Sequence, residues 1–254
     1  MPATSAECTT VFVKKGGPLF KPPPPDVLDH LKAGCPHLVK DRAWLVIFYS
    51  IVLSKVSSTE PSNEPKKAKI KHNLWLAFND VRLLLEPSEL NIQALLLLAT
   101  HVEDFTSPSL CWMLIANACR MLQALGISQR HLDTETRERR KMLFWHLNAI
   151  EKHLALIFGR PPTFHRAMAN EIPLPTLKQL LPIRPHCATS DAPSTFGAHF
   201  IYQLCLVTRV MGDAWHCIYE QDRNVRNITS MIESVDAWHA QATNVICSRI
   251  TSHV

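Results

Sequence analysis

Proline decides where this chain can be regular. Its 18 prolines leave two long intervals untouched, Ser109 to Arg160 (52 residues) and Ser194 to Val254 (61 residues). Proline lacks the backbone N–H and its ring clashes with the preceding turn, so it is expelled from helix interiors. The proline-free intervals are therefore where long helices are expected. By contrast, Arg160 to Pro193 holds seven prolines in 34 residues and reads as a long connection, with one short helix near Pro175–Leu181.

Apolar spacing supports the same division. Leu143, Leu147, Ile150, Leu154 and Ile157 step by 4, 3, 4, 3, as do Phe200, Leu204, Val207, Met211, Ala214 and Ile218 with a further 4. Val225, Ile228, Ile232, Val235, Trp238, Ala242 and Ile246 continue the pattern, and Leu74, Phe78, Val81 and Leu85 form a shorter one. Each is one face of a 3.6-residue period. Ser107-Pro108 offers a capping hydroxyl before a first-turn proline, and Gly126 a C-terminal stop. Asp133 or Thr134 opens the next helix, which Gly159 and Pro161 close. The pattern predicts an all-α chain of about eight helices, at 26–33, 41–56, 68–86, 88–103, 108–125, 134–158, 195–221 and 225–251. Residues 1–25, with Pro22 to Pro25, are expected to be extended and flexible, and 26–254 to form one irregular helical domain.

Several function classes are disfavoured. Only 7 Gly are present, and neither GxGxxG nor GxxxxGK[ST] occurs, so the usual nucleotide-binding loops are missing. Net charge is +5, too mild for a dedicated nucleic-acid binder. The eight Cys, at 8, 35, 111, 119, 187, 205, 217 and 247, include no CxxC pair, so no zinc site is visible and no cofactor is expected in this chain. The longest apolar run, Ala43 to Leu53, is too short to span a bilayer, and the N-terminus does not read as a secretory signal. A soluble, intracellular protein without a membrane partner is the expectation.

The search for chemistry gives sparse candidates. No HExxH, GxSxG or kinase signature occurs. His146 and His153 lie seven apart on one expected helix with Glu151 between them, which would suit an all-α enzyme or a metal pair; a solvated helix flank is the plainer reading. His101 with Glu103 and Asp104, and His216-Cys217 with Cys205, are weaker sets of the same kind. Lys66, Lys67, Lys69 and Lys71 form a candidate nuclear-localisation or phosphate-binding patch, with a solvated loop face as the default.

One region is more specific. CWMLIANACRMLQALGI, ETRERRKMLFWHLNAIEKHLALIFGRPPTF and EIPLP follow one another between Cys111 and Pro175. This series resembles the fungal-specific transcription factor domain, the middle regulatory region of fungal regulators that bind DNA through a binuclear zinc cluster. The matching residues are Trp112, Leu125-Gly126-Ile127, Glu138 before Arg139 and Arg140, Phe144-Trp145, Glu151, Gly159-Arg160-Pro161 and Leu174-Pro175. The series covers about 65 residues; weaker likeness extends to 88–102 and to Tyr202–Trp238, and residues 28–254 are read as one such domain.

The resemblance implies a non-catalytic, nuclear regulatory domain acting in RNA polymerase II transcription. It would respond to a small-molecule effector or a protein partner; a stand-alone helical interaction module is the other non-enzymatic alternative. Most of the matching residues read as fold-holding: Trp112, Phe144 and Trp145 as packing anchors, the glycines as helix stops, and Arg139, Arg140 and Arg160 as partners of helix-end carbonyls or of Glu151. The six-cysteine zinc cluster of the family is absent here. DNA contact is therefore expected only through a missing or partner module, and the chain reads as truncated at both ends.

Overall fold

The structure, a computed structural model, describes residues 21–59, 63–101, 107–127, 129, 131–181, 195–219 and 225–250. Among them are eleven α-helices, eight of seven or more residues, and no strand. Most of the expected flexible segment 1–25 lies outside the described residues, as do Cys8, Glu103, Asp104 and Cys187. The helices pack as two compact units, Met1–Gly126 and Ile127–Val254.

The first unit contains α1 (Pro25–Lys32), α2 (Arg42–Thr59), α3 (Glu64–Phe78), α4 (Arg82–Leu85), α5 (Glu89–His101) and α6 (Pro108–Leu125). Helices α2 and α5 are apolar on every side and are buried accordingly: residues 43–48 and 92–98 are all shielded from solvent. Helix α2 packs on α3 and α5, and α5 packs on α6 and α4. Ser107 caps α6 by accepting the Leu110 amide at 3.2 Å, and Gly126 ends it with φ 75°.

The helix expected over 68–86 is instead two. Asn63 accepts the Lys66 amide at 3.3 Å, and Pro65 sits in the first turn, so α3 begins at Glu64. It stops at Phe78 because Asp80 starts a new turn, its carboxylate taking the Arg82 amide at 3.0 Å and the Arg82 guanidinium at 2.7 Å. The Leu74 stripe breaks there: Leu74 is fully buried, whereas Val81 and Leu85 are exposed.

The second unit contains α7 (Thr134–Phe158), α8 (Arg166–Glu171), α9 (Leu177–Leu180), α10 (Thr195–Tyr219) and α11 (Val225–Ile250). Helix α10 is central and packs against α7, α8, α9 and α11. Asp133 caps α7 through the Thr136 amide at 2.8 Å, and Gly159 closes it in the left-handed conformation. Thr176 and Gln179 cap α9 reciprocally, which places the expected short helix of the proline-rich segment. Helix α8, capped by His165, has no periodicity long enough to be read from sequence.

The apolar periodicity of α10 misplaces its inner face. Phe200, Leu204 and Ile218 are exposed, and the buried positions are Gly197, Ala198, Gln203, Cys205, Thr208, Gly212 and Trp215. Small side chains admit close approach by a neighbouring helix, and polar groups from α7 require partners there. On α11, Ile228, Ile232 and Val235 are likewise exposed, and Ala242 is buried.

Candidate regulatory site

Within the second unit, residues 159–175 form a strap running from the end of α7 to the start of α9. Pro161, Pro162, Pro173 and Pro175 keep most of it out of regular structure. Its own hydrogen-bonding groups must therefore be met by side chains from elsewhere.

Helix α7 supplies most of them. Glu151 and Lys152 are buried, at 2% and 1% exposure, and pair at 3.2 Å. The Glu151 carboxylate accepts the amides of Thr163 and Phe164, and Lys152 Nζ donates to the Phe164 carbonyl at 2.5 Å. Nearly two turns back, Trp145 Nε1 donates to the Pro173 carbonyl at 2.9 Å. From α10, Arg209 Nε donates to the Ala169 carbonyl at 3.1 Å, and its guanidinium stands 5.5 Å from the centre of the Trp145 ring. Phe164 anchors the strap, its ring 4.9 Å from that of Phe144 and completely shielded from solvent.

Glycine makes room twice. Gly159 has φ +61°, and a Cβ there would stand 3.0 Å from Tyr219 Cε1, whose hydroxyl donates to the Leu156 carbonyl at 3.0 Å. Gly212 lies opposite Lys152, with Cε 3.7 Å from where its Cβ would be. Beside them, Asn148 Nδ2 donates to Thr208 Oγ1 at 3.2 Å. The Cys205 thiol is pushed up to about 12 by burial, with the charge of Arg209 acting weakly the other way.

This geometry gathers the second half of the motif series. Phe144, Trp145, Glu151, Gly159, Arg160, Pro161 and Pro175 all lie in the strap or on the α7 surface holding it. The amide of Arg160 donates to the Ala155 carbonyl at 3.2 Å. Arg139 and Arg140 lie about three turns before Glu151 on α7, where Arg139 meets Glu135 at 3.2 Å and Thr136 Oγ1 at 3.2 Å. The partners of Glu151 are Lys152 and two backbone amides, not one of the motif arginines. Trp112 and Gly126 belong to α6 of the first unit, where Trp112 is half-buried. Sequence reading gave no role to Lys152 and Phe164, which lie inside the motif series, and missed Arg209 and Gly212, which belong to no motif or repeated spacing.

The other candidates stand apart. Lys66, Lys67, Lys69 and Lys71 fall in the first two turns of α3. Lys69 is exposed, Lys66 and Lys71 are half-buried, and Lys67 is buried and paired with Glu64 at 3.1 Å. His153 is exposed, His146 is half-buried, and both oxygens of Glu151 are taken by donors. Among the described residues no group of three or more His, Cys, Asp or Glu is arranged to hold a metal ion. No helix among them is long and apolar enough to cross a membrane. Glu151, Lys152, Trp145 and Arg209 all grip the backbone of the strap.

Comparison with known proteins gives a consistent picture. The family model described as "Fungal specific transcription factor domain" matches residues 33–242. A "Transcriptional regulator" of Claviceps purpurea is 47% identical over 226 residues, covering 88% of this chain and 36% of that protein. Two proteins of Schizosaccharomyces pombe, each named an uncharacterized transcriptional regulatory protein, are 30% and 28% identical over 129 and 134 residues. Those matches cover 49% of this chain and 20% and 23% of the two proteins, so the chain spans about a third or less of these relatives. No solved structure matches.

Proposed function

Because the chain belongs to the fungal specific transcription factor domain family, we propose that it is the regulatory, non-catalytic part of a fungal transcription regulator. It acts in the nucleus on RNA polymerase II transcription, and its helical packing responds to a small-molecule effector or a protein partner. DNA is read by a separate zinc-cluster module, in the same polypeptide or in a partner, and this chain holds no cofactor of its own.

The observation that carries this reading is the family match over residues 33–242, together with relatives named as transcriptional regulators. Three features support a non-catalytic role. The buried Glu151 carboxylate is saturated by hydrogen bonds, His153 is exposed, and the motif side chains of Trp145 and Glu151 bind the backbone of their own chain.

A reporter assay tests it. Fused to an unrelated DNA-binding module, the chain should raise or lower transcription from the cognate promoter relative to that module alone. Unchanged output across growth media, with the fusion expressed and nuclear, would overturn the proposal. A fluorescent fusion of the chain tests the localisation: replacing Lys66, Lys69 and Lys71 by Gln should lower its nuclear fraction.

A further inference from the structure

We propose that the strap over residues 159–175 is a conformational device, a segment that opens and closes as a unit while α7 and α10 remain folded. The buried Glu151–Lys152 pair is its latch.

The strap has few apolar attachments. Phe164, Ala169, Ile172 and Pro175 are its buried residues, whereas Pro161, His165, Arg166, Asn170, Glu171 and Pro173 are exposed. It is otherwise held through backbone groups by Glu151, Lys152, Trp145 and Arg209. Segments with few buried apolar contacts open at lower free energy than the core to which they are attached.

The latch makes this opening two-state. Two charges removed from water gain little net stability when paired, because desolvation offsets their attraction. Separating the pair from the strap leaves the buried carboxylate and ammonium short of donors and acceptors. Intermediate positions are therefore disfavoured, and the stable choices are fully seated or fully released with water admitted. Both ends are suited to hinging. Gly159 adopts a backbone conformation that only glycine takes without strain, and Thr176 starts α9 with its own capping box. Release withdraws Phe164 from Phe144 and the Pro173 carbonyl from Trp145, so it uncovers two aromatic residues that are now almost completely buried.

Native-state hydrogen exchange on the full 254-residue chain tests this without a ligand. The Thr163 and Phe164 amides should exchange at least about tenfold faster than Leu143 to Leu147 on α7. Their rate should depend little on added denaturant, whereas the α7 amides follow global unfolding. Glu151→Gln should accelerate the two strap amides by a further tenfold or more and leave the order of α7 unchanged. Exchange of the strap only together with α7 in the wild-type chain overturns the proposal, whether or not the variant folds. Because no effector is involved, the result is independent of the transcriptional role.

Discussion

Glu151 and Lys152, neighbours on α7, hold the same residue from opposite sides: Phe164 gives its amide to the carboxylate and receives the ammonium on its carbonyl. Adjacent residues on a helix normally diverge by about 100°. Both can reach one residue here because the Lys152 stem passes beside Gly212 of α10, where no side chain blocks it.

Glu151→Gln should cost about 3–5 kcal/mol, because it leaves the Lys152 charge buried without an anion. The double variant Glu151→Gln, Lys152→Met should recover most of that loss. The substituted side chain keeps a carbonyl oxygen to accept the strap amides, and the orphaned charge is gone. Urea denaturation of the wild type, both single variants and the double variant checks this; equal losses in the single and double variants would contradict it.

The two glycines of the site should respond oppositely to alanine. Gly159→Ala should destabilise by about 1–2 kcal/mol, since the residue needs positive φ and its Cβ would press on Tyr219 at 3.0 Å. Gly212→Ala should be neutral or stabilise by up to about 1 kcal/mol. It lies inside α10, and its Cβ would meet Lys152 at an ordinary 3.7 Å. Thermal melting of the two variants separates these outcomes.

Trp145→Phe should lower stability by about 1–2 kcal/mol. It removes the donor to the Pro173 carbonyl and weakens the stacking of Arg209. In Arg209→Lys the ammonium cannot reproduce the guanidinium geometry, so the Ala169 contact should be lost as well. A double-mutant cycle should give a coupling energy clearly above zero.

Cys205 should resist alkylation at pH 8 in the folded chain and react once urea is added. Its thiol is buried and pushed up to about 12, so almost no thiolate is present. Cys35, half-buried in the first unit, should react before it. Peptide mass spectrometry after timed iodoacetamide exposure distinguishes the two.

Acid should loosen α9 from α7. Glu138 accepts Lys141 at 2.7 Å and Gln179 of α9 at 2.7 Å, and the Lys141 hydrogen bond holds its carboxyl below the usual value. A carboxylate depressed in the folded state contributes stability above its unfolded pKa, about 4.3, and loses it as pH falls through the folded value. The contribution is therefore present at neutral pH and shrinks below about pH 4. In Glu138→Gln the melting temperature should fall less steeply with acid than in the wild type.

The sequence by itself determined the helical class, the two long proline-free stretches, and the stops at Gly126 and Gly159. It also carried the motif series that led to the family. Those features act locally: a missing N–H, a positive φ or a capping oxygen does the same thing in any fold. Tertiary structure decided which face of α10 turned inward. The apolar stripe with Phe200 and Leu204 stayed exposed, and the face with Ala198, Cys205, Thr208 and Gly212 went in. Hydrophobic periodicity measures how much apolar surface a helix carries, whereas burial at α7 required a hydrogen-bonding partner for Asn148 and a residue without a side chain beside Lys152. The latch followed from the same cause. Nothing near Glu151 in sequence shows that its carboxylate meets the amides of Thr163 and Phe164, because that contact exists only once the prolines have folded the strap back along α7.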